Sequence, residues 1–290
     1  MFNTNKLVKQ LCLSGALLMS LPILSTTYAA ENTVPASKST YVVKNLNIGD
    51  LPVKTLVPIT AKTREQALAQ AKVIAENKDA DIAEFRIDLL EFASDTKKVI
   101  ALGQELNQIL KDKPLLATIR TSNEGGKLKV TDQEYEKIYS EYLKKPFMQL
   151  LDIEMFRDQA AVAKLTKLAH QKKVLVVMSN HDFDKTPSEQ EIVSRLLKQD
   201  QMGADILKIA VMPKSKQDVF TLMNATLKVS EQSTKPLLTM SMGRLGTISR
   251  IATANMGGSL SFGMIGEASA PGQIDVTALK QFLKTVQPTP

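Results

Sequence analysis

The stretch VLVVMSNHDFDKTPSEQEIVSRLLKQDQMGADILKIAV, residues 174–211, holds two short apolar runs separated by a polar, periodic segment. The runs 174–180 and 205–211 are almost continuously apolar, which is typical of strands buried on both faces of a parallel sheet. Between them, apolar side chains recur at the i, i+3, i+4 and i+7 spacing of a helix. This stretch therefore predicts a strand–helix–strand unit.

The same alternation continues along the chain. Other apolar runs lie at 56–60, 81–87, 115–120, 148–154, 237–242 and 260–265, with amphipathic segments rich in lysine and glutamate between them. Eight such strands in about 235 residues predict a (β/α)₈ TIM barrel. An open, doubly wound α/β sheet is the alternative. Upstream, YVVKNLNIGDLPVK (41–54) predicts a β-hairpin turning around Asn47-Ile48-Gly49-Asp50.

The first thirty residues have the three parts of a secretory signal peptide: a basic start, an apolar run from Leu11 to Leu24, and small residues before position 30. An uncleaved anchor is the alternative, although the apolar run is short for a membrane span. We assign 1–30 to the signal peptide, 31–44 to a flexible lead-in, and 45–290 to a single barrel domain. The protein is accordingly expected to be exported to the periplasm.

Composition excludes several classes of function. The only cysteine is Cys12, so the processed chain can form no disulfide. Removing Lys6 and Lys9 with the leader lowers the net charge of +7 by two, and no block of like charges remains to suggest a nucleic-acid partner. A mildly basic surface still favours an anionic small substrate. Two distant histidines without cysteines predict no metal site and no metal cofactor.

Polar and charged side chains collect at the C-terminal ends of the predicted strands, where barrel enzymes place their active sites. They are Thr60, Glu84, Arg86, Arg120, Asp152, Glu154, Asn180, His181, Lys208 and Ser241. Glu84 and Arg86 occupy alternate positions of one strand, so both point to the same side.

Lys208 lies inside a strand in DILKIAVMP, where an unpaired ammonium would be costly. One explanation is a structural ion pair with Asp152 or Glu154. The other is a Schiff-base nucleophile, since a desolvated neutral amine can attack a ketone. His181, at the end of another strand, is suited to moving protons, whereas His170 has the position of a cation at a helix C-terminus. Glu124 in TIRTSNEGG could orient a histidine or form a local pair with Arg120.

The C-terminal third is rich in glycine and serine but has no glycine spacing that fits a nucleotide-binding motif. Arg250 can instead bind a carboxylate with two parallel hydrogen bonds. The SAPGQ loop, which contains Ser269 and Gln273, can complete such a site and has the composition of a mobile lid.

Taken together, EFRIDLL, TIRTSNEGG, SNHDFDKTPS, ADILKIAVMP, GTISR and EASAPGQI resemble motifs of the type I 3-dehydroquinate dehydratases over nearly the whole processed chain. The resemblance implies a barrel whose N-terminal hairpin closes the bottom, a homodimer, and the syn dehydration of 3-dehydroquinate to 3-dehydroshikimate without a cofactor. It implies that Lys208 forms an imine with the C3 ketone, that His181 removes the C2 proton, and that Glu124 orients His181.

The resemblance also implies the substrate-binding residues. Those similar to the family residues that hold ring hydroxyls are Glu84, Arg86 and Arg120, and those similar to the carboxylate-binding residues are Arg250, Ser269 and Gln273. Thr60 stands where the family often has serine and keeps the hydroxyl.

The leader departs from the family pattern, because biosynthetic members are cytoplasmic. It suggests a periplasmic enzyme acting on 3-dehydroquinate made from quinate, in a catabolic route. Two alternatives remain at this stage: a class I aldolase with the same strand lysine, and an exported binding protein for a hydroxylated carboxylic acid.

Overall fold

The computed structural model describes residues 38–287, so the predicted signal peptide lies outside the described residues. The strands are β1 (Tyr41–Val43), β2 (Leu46–Ile48), β3 (Lys54–Ile59), β4 (Ile82–Arg86), β5 (Leu115–Thr118), β6 (Leu150–Glu154), β7 (Leu175–Asp182), β8 (Ile206–Val211), β9 (Leu237–Ser241) and β10 (Leu260–Phe262). The α-helices are α1 (Arg64–Glu76), α2 (Thr96–Leu110), α3 (Asp132–Lys144), α4 (Gln159–Gln171), α5 (Glu189–Gln201), α6 (Lys216–Gln232), α7 (Thr247–Ile251) and α8 (Val276–Val286). Single 3₁₀ turns lie at Ile87–Leu89, Ser122–Glu124 and Thr253–Met256.

Strands β3 to β10 form one parallel sheet in the order β10-β3-β4-β5-β6-β7-β8-β9. The two outer strands of this order meet where the Ser259 N–H, just before β10, donates to the Leu237 carbonyl of β9 at 2.9 Å. A helix follows each strand, which confirms the predicted (β/α)₈ barrel. All eight predicted strands are present, with ends that differ by a few residues.

Every helix except α7 begins where the sequence supplies a side-chain cap. Thr63, Asp95, Asp158 and Ser188 each accept a hydrogen bond from a backbone N–H of the first turn of the helix that follows. Thr131 forms a full capping box with Glu134 at the start of α3. The helices other than α7 then bury an apolar stripe against the sheet, whereas α7 buries Ser249 and Arg250.

The barrel interior has an apolar bottom and a polar top. Each strand contributes one buried apolar side chain near the N-terminal end: Leu56, Ile82, Leu116, Leu150, Val177, Ile206, Leu238 and Leu260. Val43 and Ile48 of the hairpin belong to the same cluster, so the hairpin closes this end, as expected. Two residues farther along, the same inward side carries Glu84, Thr118, Asp152, Ser179 and Lys208.

The hairpin differs from its prediction. Its strands pair as Tyr41↔Ile48 and Val43↔Leu46, so the turn is at Lys44–Asn45 and not around Asn47–Asp50. The Lys44 side chain holds this turn by donating to the carbonyls of Lys111 and Lys113 beyond the end of α2. Strand β1 also lies before residue 45, inside the range assigned to the lead-in.

Within residues 38–287, no helix has the length and apolar character needed to cross a membrane. The same residues contain no group of three or more side chains of the metal-binding types arranged around a common point.

Candidate active site

A cavity of about 110 Å³ lies at the C-terminal end of the barrel strands. Seven predicted site residues line it: Glu84, Arg86, Arg120, His181, Lys208, Ser269 and Gln273. The apolar part of the wall is formed by Phe183, Ala210, Met240, Met242, Phe262 and Ala270. The cavity therefore combines charged side chains from the strand ends with apolar ones, which is the composition of a small-molecule site.

Lys208 is 2 % exposed, and its Nζ donates to Oδ2 of Asp152 at 2.8 Å. Nζ also lies 3.9 Å from Oε1 of Glu84 and 5.2 Å from the centre of the Phe262 ring. From outside the barrel, the side-chain amide of Gln199 accepts from the backbone N–H of Lys208 and donates to its carbonyl, both at 2.9 Å. The ammonium and its backbone are thus both fixed. The ion pair with Asp152, considered above as the structural explanation, is present.

Asp152 is completely buried, and its Oδ1 accepts from Nη2 of Arg120 and Oγ of Ser179, each at 2.7 Å. Burial alone would raise the pKa of this carboxyl, but Arg120 and Lys208 outweigh burial and lower it to about 2. Asp152 consequently stays ionised near neutral pH. It can hold Lys208 in place but is a poor acceptor for its proton.

Arg120 lines the cavity, but its guanidinium is held by three buried carboxylates. Its Nη1 donates to Glu154 at 2.8 Å and to Glu124 at 3.3 Å, while its Nη2 contacts Asp152. Arg86 is similarly held by two hydrogen bonds to Asp88, at 2.9 and 3.0 Å. The two arginines at the cavity wall are therefore rigid, because each is anchored by acidic partners of the barrel.

His181 and Glu124 form a direct pair, with Nδ1 of the imidazole 2.8 Å from Oε2 of the carboxyl. Asn180 donates to the other carboxyl oxygen at 3.3 Å. Burial raises the pKa of Glu124 to about 8, against the opposing effect of Arg120. Burial, together with Arg120, Lys208 and Arg86, lowers the pKa of His181 well below 6.5. Since Nδ1 faces Glu124, Nε2 is the nitrogen available to a substrate in the cavity.

Arg250 is 1 % exposed, and its Nη2 donates to the Pro271 carbonyl at 3.2 Å. Its Nε and Nη1 have no hydrogen-bond partner within the described part of the chain. Burial lowers its pKa to about 10. In the adjacent loop, Gln273 accepts from the Ser269 N–H at 2.9 Å and donates to its hydroxyl at 3.0 Å. A buried guanidinium with free donors next to this loop suits an anionic group.

Two predicted site residues lie at the margin of this arrangement. Thr60 follows β3 and donates its backbone N–H to the Gln70 side chain at 2.9 Å, but it does not line the cavity. Arg250 does not line the cavity either, but its Nη2 bonds to Pro271 in the 269–273 loop, which contains the lining residues Ser269 and Gln273.

Residues 55–290 match the family model described as type I 3-dehydroquinase. The chain belongs to this family. It is 45 % identical over 242 residues to the 3-dehydroquinate dehydratase of Listeria monocytogenes serotype 4a (strain HCC23), covering 83 % of this chain and 96 % of that one. Like that relative, it is a 3-dehydroquinate dehydratase. The alternatives of a class I aldolase and an exported binding protein are therefore set aside.

Solved structures agree with the barrel of the dehydratase. The type I enzyme of Clostridium difficile, solved with covalently modified comenic acid, superposes with a TM-score of 0.83 at 37 % identity, covering 86 % of this chain and 98 % of that one. The enzyme of Enterococcus faecalis superposes with a TM-score of 0.80 at 40 % identity, covering 86 % and 100 % respectively.

The sequence reasoning does not assign Ser179 to the dehydratase site, and it names Asp152 and Glu154 only as polar strand ends and possible partners of Lys208. In the structure all three contact Arg120. The sequence does indicate that these side chains point into the barrel. Side chains alternate along a strand, and each of the three is an even number of residues from the apolar residue at the bottom of its strand. The apolar wall, such as Met240, gave no signal, because an apolar strand residue looks the same inside the core and beside a substrate.

Proposed function

We propose that this dehydratase acts through an imine on Lys208. The observation that carries the proposal is a fully buried lysine, held by Asp152, in the same cavity as His181, whose Nδ1 faces Glu124 and leaves Nε2 for the substrate. The Lys208 ammonium gives up one proton, and the resulting amine attacks the C3 ketone of 3-dehydroquinate. That proton and a second N–H proton leave with the ketone oxygen as water, which leaves a protonated imine that acidifies the neighbouring C–H bonds. The relative from Clostridium difficile, solved with covalently modified comenic acid, supports a covalent mechanism.

The elimination then proceeds at His181. Nε2 takes the C2 proton, and the electron pair of the C–H bond moves into the imine to give an enamine. The enamine expels the hydroxyl β to the imine carbon, and His181 returns the proton so that water leaves on the same face. Water adds to the remaining imine, releasing 3-dehydroshikimate and free Lys208; the net loss is one water.

The test is to mix enzyme and 3-dehydroquinate, follow the ultraviolet absorbance of the conjugated enone, and reduce with borohydride. A stable adduct mapped to Lys208 by mass spectrometry is expected. Enone formation without any reducible adduct would contradict the imine mechanism.

The carboxylate of the substrate is proposed to bind Arg250, with Ser269 and Gln273 closing over it. Replacing Arg250 by methionine removes a charge-assisted pair, so KM should rise about 10- to 100-fold with a smaller change in kcat. The same change should raise the melting temperature of the free enzyme, because it removes a buried cation whose Nε and Nη1 have no hydrogen-bond partner within residues 38–287. Exposed Arg244, on the neighbouring turn, provides the control, and Arg244→Met should keep the KM. An unchanged KM in Arg250→Met would contradict the assignment.

Glu124 is proposed to set the pH dependence of His181. Nε2 can act as a base when Glu124 is ionised and the imidazole is neutral, with its hydrogen on Nδ1. One more proton, on either Glu124 or the imidazole, puts a hydrogen on Nε2 and blocks the base. The value of kcat/KM should therefore rise with pH through the apparent pKa of the pair, near 8. Glu124→Gln removes the titrating carboxyl and leaves an imidazole whose pKa is lowered, so the rise should move below pH 6.5 and reach a lower plateau. A pH profile of kcat/KM checks this, with exposed Glu231→Gln as control. An unmoved profile in Glu124→Gln would exclude Glu124 from the titrating pair.

We further propose export by residues 1–30, periplasmic action on 3-dehydroquinate derived from quinate, and a homodimer. The basic, apolar and small-residue order of the leader supports export, and the family resemblance supports the dimer. Fractionation of cells that express the native leader tests the location, and sedimentation of the purified protein tests the dimer. Activity confined to the cytoplasm, or a monomer at assay concentration, would contradict the respective part.

A further inference from the structure

We infer that Tyr139 is a positioning residue for the catalytic site. Strands β5 and β6 pair only as far as Thr118↔Asp152. Just beyond, the Ile119 N–H donates to the Tyr139 hydroxyl at 2.9 Å, and that hydroxyl donates to the Asp152 carbonyl at 2.8 Å. A helix side chain is thus inserted between two strands at the level of the cavity.

The end of β5 is held by side chains where the ladder has stopped. The N–H of Arg120 donates to Asp88 at 3.3 Å, and that of Thr121 donates to Glu154 at 2.8 Å. Of these three acceptors, Tyr139 alone is uncharged and comes from the helix layer. It is fully buried, and its ring packs between those of Tyr135 and Tyr142, at centroid distances of 4.6 and 6.0 Å. The hydroxyl consequently has one fixed position.

The bridge joins the two backbones that carry the central charges. Ile119 precedes Arg120, and the Asp152 carboxyl binds both Arg120 and Lys208. Without the hydroxyl, the Ile119 N–H and Asp152 carbonyl are left without this partner or move towards each other, and either result displaces Asp152 relative to Lys208. This inference rests on the proposed imine mechanism, in which the approach of Nζ to the ketone must be accurate.

The matched experiment compares Tyr139→Phe with Tyr142→Phe. Both remove one hydroxyl from a fully buried tyrosine of α3, but within residues 38–287 the Tyr142 hydroxyl has no hydrogen-bond partner. In Tyr139→Phe, kcat and the rate of borohydride-trapped imine formation should each fall about tenfold, with KM changed by less than about twofold. Tyr142→Phe should keep all three values. Rates are normalised to the folded fraction measured by circular dichroism, so partial unfolding does not imitate the effect.

Three results would overturn the inference. Wild-type rates in Tyr139→Phe would show that the bridge does not position the site. Equal losses in both variants would show that packing, and not the bridging hydroxyl, is responsible. If the wild-type enzyme gives no adduct, the imine mechanism is overturned and this inference falls with it. If the wild-type enzyme gives the adduct and either of the first two results is found, only the positioning role of Tyr139 is overturned.

Discussion

Lys208→Arg should lower turnover of 3-dehydroquinate at least ~10⁴-fold while leaving the barrel folded. Arginine keeps a cation beside Asp152, so the buried carboxylate is not left alone; loss of such a partner costs ~3–5 kcal/mol of stability. Arginine cannot lose its proton and form an imine. The variant therefore separates the two explanations of this lysine, since an ion pair tolerates the exchange and a nucleophile does not.

The measurement is enone formation together with borohydride trapping and a thermal melt. Lys208→Ala should lose the adduct as well, but with a lower melting temperature because Asp152 becomes unpaired. A suitable control is Lys228, which pairs with Glu189 on the outer surface; Lys228→Arg should keep activity and adduct. Substantial turnover in a folded Lys208→Arg enzyme would refute the nucleophile assignment.

His181→Ala should lower turnover by about 10²- to 10⁴-fold, the usual contribution of a positioned general base. Imine formation should survive, because Lys208 and its partner Asp152 are untouched. Substrate should then accumulate on Lys208, and the trapped adduct should be one water heavier than the adduct formed from product. Mass spectrometry of the reduced protein distinguishes the two adducts directly.

The chain contains one other histidine, which provides the control. His170 lies at the end of α4 and contacts Asp205 at 2.9 Å, away from the cavity-lining residues. His170→Ala should therefore retain wild-type turnover. Loss of both turnover and adduct in a folded His181→Ala enzyme would mean that His181 is needed before the elimination.

The barrel could be predicted because its signals are local. Apolar runs of strand length, helical spacing between them and polar residues at the run ends are all properties of neighbouring residues. The hairpin turn could not be placed in the same way, because a remote contact decides it: Lys44 binds the carbonyls beyond the end of α2. Nothing near Asn47–Asp50 in the sequence reveals that competition.

The sequence predicted most of the residues of the site but fewer of the ion pairs and hydrogen bonds between them. The sequence placed Lys208, His181 and Arg120 on the side of the barrel where the strands end, and the structure brings them around one cavity. It did not indicate that Arg120 would be committed to three carboxylates, or that Tyr139 of a helix would bond between two strands.

The amino-acid sequence by itself determined the alternation of eight strands and helices and the inward side of each strand, because a two-residue period is set within the strand. The tertiary structure decided which inward groups meet: Lys208 with Asp152, and His181 with Glu124. The physical reason is that such pairs depend on the stagger between strands and on how far each side chain reaches across the barrel. Those quantities are fixed only when the sheet closes.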